Sequence, residues 1–290
     1  MATFNPDDYL WVPMRPWPPA KVQAFEAVWQ TVLASVPGTW LNYTSPYPKH
    51  EFLCYLAEHQ AVLMHGSNNP EITLFEPRLQ TDYLGRPIRA VFATADGIWP
   101  MFFAIIKRQG YKGSLRNACF RAADNTGAPC KFYRFSISQK ALAGSPWQPG
   151  TIYLLPRASF TPVKDEAGEG LEEWTSPIAI APLARLAVSP DDFPFLQQVQ
   201  GHADPLAEVL DDLFTTYQSL NELEEGYALR YPATPEHERK LQAALGLLQE
   251  AAPQITTTYE AHAEALWLKF TGPPELKEFI RAAIAEQSKT

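Results

Sequence analysis

The sequence predicts an α+β fold in two parts, the second of them an all-α C-terminal region. Three observations carry this expectation. Most of the 27 prolines fall before residue 200, which favours short elements there over long helices. Apolar runs of strand length, such as Val62-Leu63-Met64 and Arg89-Ala90-Val91-Phe92-Ala93-Thr94, recur in the same region between breakers. Beyond residue 200, Leu206, Val209, Leu210, Leu213, Phe214, Tyr217, Leu220 and Leu223 repeat near the period of a packed helix. The expected division is therefore 1–200 and 201–290.

Taken in order, residues 1–18 read as an aromatic, proline-rich arm lying across the first domain. Val22, Phe25, Val28, Trp29, Val32 and Leu33 keep helical spacing, bracketed by Pro19 and by Pro37-Gly38. A turn-rich stretch at 39–48 precedes a short helix carrying Phe52, Leu53, Tyr55 and Leu56 and ending near His59. A strand runs to His65-Gly66-Ser67, and Asn68, Asn69 and Pro70 force a turn. Ile72–Phe75 reads as a further strand, and 79–88 as a polar loop. After the strand 89–94, Asp96 caps a short helix through Lys107, with Pro100 in its first turn. Strands are expected at 131–137 and 151–155, an exposed acidic loop at 164–173, and one or two strands between 178 and 188. Four helices follow, within 203–231, from Thr234 to Pro253, and over 255–270 and 273–287, as a bundle or a face packed on the first domain. No internal repeat stands out.

Composition narrows the function classes. Hydrophobic residues make up 46% of the 290, enough for a sizeable core. The formal net charge of −8 argues against a duplex nucleic-acid binder, which needs a basic surface. Cys54, Cys119 and Cys130 have no metal-like spacing and read as reduced thiols. His50, His59, His202, His237 and His262 have no partners at metal spacing either. No signal peptide and no membrane-spanning run is visible, so the expectation is a soluble cytoplasmic protein with no membrane partner. There is no P-loop, no dinucleotide glycine fingerprint and no Gly-x-Ser-x-Gly elbow.

Three short motifs remain. A strand ends in His65-Gly66-Ser67, a second strand carries Phe92 with Phe103 eleven residues on, and Glu173-Trp174 precedes a third. Their order and placement resemble the ADP-ribosyltransferase superfamily of poly(ADP-ribose) polymerases and bacterial toxins, over roughly residues 50–190. The resemblance implies a split pair of small sheets around a cleft that takes NAD as substrate. It implies that His65 bonds the adenosine-side ribose, that the Gly66 backbone holds the carboxamide, and that Ser67 touches the nicotinamide ribose. Phe92 and Phe103 would clamp the nicotinamide, with Phe92 standing where the family has Tyr. Glu173, or failing it Glu172, would stabilise an oxocarbenium-like transition state as the catalytic group, with His65. Arg78 is placed to bind the pyrophosphate.

Each of these residues also has a plainer reading: a strand-end polar group, core aromatics, a solvated acidic loop, a surface ion pair. The implied reaction transfers ADP-ribose to an unknown acceptor, a protein among the candidates, with release of nicotinamide. The alternatives are an inactive ligand-binding or protein-interaction module on the same fold, or a relative of the RNA 2′-phosphotransferases.

Overall fold

The computed structural model describes residues 5–82, 87–108, 113–165, 167–251, 255–272, 277, 280 and 281. The chain divides into two compact units: Met1–Arg78, Arg89–Tyr111 and Leu115–His202 form the first, and Leu79–Ile88, Lys112–Ser114 and Ala203–Thr290 the second.

Elements follow the chain as β1 (Leu10–Pro13), α1 (Pro19–Leu33), β2 (Thr39–Trp40), α2 (Lys49–His59), β3 (Val62–Ser67) and β4 (Arg78–Thr81). Then come β5 (Pro87–Thr94), α3 (Trp99–Ile105), β6 (Leu115–Ala123), β7 (Pro129–Ser138) and α4 (Gln139–Ala143). The first unit closes with β8 (Gly150–Pro156), β9 (Thr161–Lys164), β10 (Gly170–Ser176), β11 (Ala184–Val188) and β12 (Gln200–His202). Its larger sheet runs β2-β11-β8-β3-β5-β10-β9, and a smaller one is built around β7 with β1, β6 and β12. The N-terminal arm is thus partly a strand, β1, paired antiparallel to β7.

Both faces of the larger sheet are covered, so its central strands are apolar on both sides. Met64, Ile152, Leu154, Leu186 and Val188 face a cluster with Phe25 and Trp29 of α1, Phe52 and Leu56 of α2, and Met101 and Phe102 of α3. Leu63, Val91, Ala93, Tyr153 and Leu155 face a second cluster with Phe75, Phe160 and Ile180. That alternation is the period-2 rule applied to β3, β5 and β8.

The start of α3 carries a buried charge cluster. Asp96 Oδ1 accepts from the backbone N–H of Ile98 at 2.8 Å and of Trp99 at 2.7 Å. Asp96 Oδ2 accepts from Lys131 Nζ and from the Tyr133 hydroxyl, each at 2.9 Å. Lys131 is 2% exposed and Asp96 0%. Burial alone would push the Asp96 carboxyl up, but Lys131, the Trp99 N–H and Tyr133 outweigh it and hold it below the usual carboxylate range. Because Lys131 lies on β7, one carboxylate joins the smaller sheet to the β5–α3 corner of the larger one.

Several expectations need correction. Ile72–Phe75 is not a strand; only Phe75 bridges, to Ile180. Strand β4 reaches Thr81 inside the expected loop, of which residues 83–86 lie outside the described residues. The exposed acidic loop expected over 164–173 is confined to the turn between β9 and β10, because β10 begins at Gly170 and Glu172 is buried. The stretch 178–188 holds one strand, β11, within the one or two expected there. The motif-bearing strands lie in one continuous sheet, not in two halves.

The all-α C-terminal region is also not what forms. The second unit has α5 (Pro205–Thr216), β13 (Ser219–Leu223), β14 (Gly226–Pro232), α6 (Pro235–Ala251), β15 (Thr256–Ala261) and β16 (Ala265–Thr271). Its sheet is antiparallel in the order β13-β14-β16-β15. Tyr227, Leu229, Tyr231, Leu266, Leu268 and Phe270 pack with Leu213 of α5 and Leu241, Ala244 and Leu248 of α6. The expected helix over 255–270 is a hairpin because Thr256, Thr257, Thr258 and Tyr259 are strand formers and Leu266, Leu268 and Phe270 alternate. The expected helix at 273–287 lies almost wholly outside the described residues.

The order α5-β13-β14 is repeated as α6-β15-β16. In the pairing of β14 with β16, Leu229 faces Leu268, Tyr227 faces Phe270 and Tyr231 faces Leu266. That register is symmetric about Leu229 and Leu268, so a local two-fold relates the halves.

Replacing Asp96 by Ala leaves the buried Lys131 ammonium with only the more distant Glu172 carboxylate as counter-charge and removes the one oxygen that accepts two N–H groups at α3. Urea unfolding should show a loss of about 3–5 kcal/mol, the usual cost of breaking one side of a buried ion pair.

Candidate functional site

The three motifs fall on three adjacent strands. Met64 of β3 pairs with Thr94 of β5, and the same Thr94 pairs with Glu173 of β10. Thr175 of β10 pairs with Phe92. Met64 and Thr94 are the single pair of the β3–β5 ladder, whereas β3 pairs with β8 along its whole length from Val62 to Ser67. On its β5 side, then, β3 is unladdered at His65, Gly66 and Ser67.

His65 bridges that opening. Its Nδ1 lies 2.7 Å from the Phe92 carbonyl oxygen. A carbonyl only accepts, so Nδ1 carries the proton and the neutral ring keeps an acceptor lone pair at Nε2. The ring packs 4.7 Å from that of Phe75. Burial lowers the His65 pKa and the nearby Arg78 charge lowers it further, against the opposing hydrogen bond to Phe92. The imidazole is neutral at physiological pH, and the exposed Arg78 guanidinium is near enough to act on it.

Gly66 is required by packing. A Cβ built there would sit 1.8 Å from the Pro100 carbonyl oxygen and 3.0 Å from the Ala104 nitrogen, so α3 lies directly on this strand. Ser67 Oγ accepts from the Asn69 N–H at 3.1 Å and shapes the turn. The Tyr153 hydroxyl donates to the Asn69 carbonyl at 2.6 Å and accepts from the Ile72 N–H at 3.1 Å, which fixes the loop beyond. Asn68 donates to the carbonyl of Ala104 and accepts from the Arg108 N–H at 3.0 Å, closing the far end of α3.

Of the aromatics, Phe102 is fully buried against Phe135 and Phe193. Phe92 and Phe103 are only half-buried. Phe103 packs against the α-side cluster, with Trp99 at 6.4 Å and Phe102 at 5.6 Å. Strand alternation puts Phe92 and Glu173 on that same side, because both share the face of Thr94 and Met64.

His65 goes the other way. It follows Met64 by one residue and stacks on Phe75 in the opposite cluster. One hollow lined by the imidazole, two benzyl rings and a carboxyl, as the sequence reading has it, therefore does not form. What His65, Phe92 and Glu173 share is one row across three strands, with the unladdered gap between β3 and β5 linking the two faces.

The two glutamates separate cleanly. Glu172 Oε1 accepts from Arg121 Nε at 2.5 Å, and Oε2 lies 3.6 Å from Lys131 Nζ. Its carbonyl accepts from the Ala95 N–H at 3.0 Å. Glu172 is thus committed to the buried cluster of Asp96, Lys131 and Tyr133. Sequence reasoning missed this cluster, although a lysine inside the apolar run Cys130-Lys131-Phe132-Tyr133 is the signal that marks it. Trp99 Nε1 also donates to Asn117 Oδ1 at 2.7 Å, tying α3 to β6.

No protein-family model matches this chain, and no curated protein and no solved structure is significantly similar to it. Among the described residues, no helix is long and apolar enough to cross a membrane.

Two outcomes follow from the geometry. A group with a lowered folded pKa binds its proton more readily when unfolded, so the His65 contribution to stability is complete above pH 6.5 and falls away below it. Urea midpoints measured from pH 7 to pH 5 should decline, and the decline should be shallower in His65→Gln. Gly66→Ala forces α3 off β3 and should cost about 1–3 kcal/mol in the same assay.

Proposed function

We propose that the first unit binds NAD across the row formed by β3, β5 and β10 and transfers its ADP-ribose to an acceptor, with release of nicotinamide. The observation that carries this reading is the adjacency of three motifs distant in sequence: His65 reaches the carbonyl of Phe92, and Glu173 pairs with Thr94 two residues beyond it. The roles divide by face. Phe92, Phe103 and Glu173 share the side against α3, suited to the nicotinamide and its ribose. His65 takes the other, with Arg78 near it, suited to the adenosine ribose and the pyrophosphate. A neutral His65 with a free Nε2 lone pair accepts a ribose hydroxyl, and Arg78 pairs with phosphate oxygens. The carboxamide would lie where β3 and β5 separate beyond the Met64–Thr94 pair.

In this reaction the bond between C1′ and the nicotinamide nitrogen breaks, and its electron pair leaves with the neutral nicotinamide. The acceptor, or water, forms the new bond at C1′ and gives up its proton. Positive charge grows on the ribose in between, and the Glu173 carboxylate is the group that can stabilise it.

A second reading is favoured by one observation. His65, Gly66 and Ser67 each already have an internal task, as backbone tie, close-packing site and turn former. On that reading the same scaffold is a non-catalytic interaction module.

Calorimetry and nicotinamide release separate the two. The transferase reading expects NAD binding at or below millimolar concentration and a loss of turnover of about 10²-fold or more in Glu173→Gln. Phe103→Ala should raise the dissociation constant. No heat of binding at millimolar NAD, with no nicotinamide formed, leaves the interaction module.

A further inference from the structure

We infer that Glu172 is a positioning residue, which Arg121 and Lys131 hold so that Glu173 stays directed at the side of the sheet bearing Phe92 and Phe103. This rests on the transferase reading for its meaning, though not for its geometry.

Neighbouring residues on a strand point to opposite faces, so the two carboxylates diverge and anchoring one orients the other. Glu172 is anchored through one carboxylate oxygen, while the other, buried, has an ion pair but no hydrogen bond. Its side chain takes the Arg121 guanidinium on one oxygen and faces the Lys131 ammonium with the other. Its carbonyl is bonded to the Ala95 N–H. Lys131 in turn is bonded to Asp96, which caps α3. The strand carrying Glu173, the corner between β5 and α3, and the helix carrying Phe103 are therefore tied at one buried point.

The pairing of β10 is irregular at this place on one edge only. Its pairing with β9 shifts between Gly170 and Trp174, which brackets both glutamates. An irregular strand specifies side-chain direction less firmly than a regular one. On its other edge β10 keeps a regular ladder to β5 from Glu173 to Ser176, and the ion pairs of Glu172 add to the direction that this ladder gives. The cost is tolerable because the opposing charges nearly balance: Asp96 and Glu172 against Lys131 and Arg121. Arg121 is the solvent-facing member, its side chain 53% exposed against 8% for Glu172. It can therefore be altered without opening the interior.

The test uses the full chain and compares Glu172→Gln with wild type. The amide keeps the shape and can still accept from Arg121, but it drops the charge that Lys131 faces. Nicotinamide release should slow about ten- to a hundredfold in kcat with KM for NAD little changed, because a carboxylate set slightly askew loses transition-state stabilisation and not substrate binding. Arg121→Gln should act the same way, and Arg121→Lys should restore most of the rate.

Independently of NAD, the carboxyl carbon-13 signal of Glu173 should be single in wild type and split or broadened in Glu172→Gln. Should Glu172→Gln fail to fold, Arg121→Gln is read in its place. Unchanged kcat together with a single unchanged Glu173 signal would overturn the inference. If wild type neither binds nor cleaves NAD, the transferase reading falls, and the Glu173 signal alone decides: split supports positioning, single rejects it.

Discussion

A single buried carboxylate organises the first unit. Asp96 accepts two backbone N–H groups at the head of α3, an ammonium from β7 and a phenol from the same strand. Each partner alone would be costly in an apolar interior. A lysine at 2% exposure without a counter-charge would be deprotonated or would unfold its surroundings. Together they satisfy one another, and the Lys131 pKa is raised because Asp96 and Glu172 outweigh the effect of burial. The smaller sheet, the larger sheet and the first helix turn after β5 meet at this point. Tyr133 also stacks on Phe135, which meets Phe102 of α3 in a tilted ring contact.

That junction also explains why the candidate site has two sides. Helix α3 can lie on β3 only because Gly66 has no side chain, and Asp96, two residues before the cap position Ile98, accepts the N–H groups of Ile98 and Trp99 where the helix begins. With α3 pressed down, residues of β5 and β10 that face it form one environment, aromatic and acidic. Residues facing away meet the loop pinned by Tyr153, where a neutral imidazole and a guanidinium lie together. The site's chemistry is therefore divided by the sheet, with the opening between β3 and β5 as the place where the two environments touch.

Much of the first unit is legible in the sequence, for identifiable reasons. Val62–Met64 and Ala90–Thr94 are apolar on both faces and read directly as buried strands. Asp96 and Pro100 mark the start of α3 by capping chemistry alone. The order of motifs places His65, Phe92 and Glu173 on successive strands, but it says nothing of the face each side chain takes, which depends on a one-residue offset. Strand β6 escapes notice because Arg116, Asn117 and Arg121 interrupt its alternation. Glu172 reads as loop because its compensating cations come from β6 and β7, some fifty and forty residues earlier. The second unit is misread for another reason. Leucines near period 3.5 continue from α5 into β13, and spacing alone does not show where the period changes from 3.6 to 2.

The local two-fold of the second unit has a consequence of its own. The seam between β14 and β16 joins two strands that offer each other nearly the same backbone edge and the same apolar row. Each half is thus complementary to the other half of any molecule, its own or a neighbour's. A chain opened at the connection through α6 could trade halves with another and rebuild an identical seam between polypeptides. The seam therefore relies on backbone pairing and apolar matching that both halves carry, and not on a recognition element special to either one.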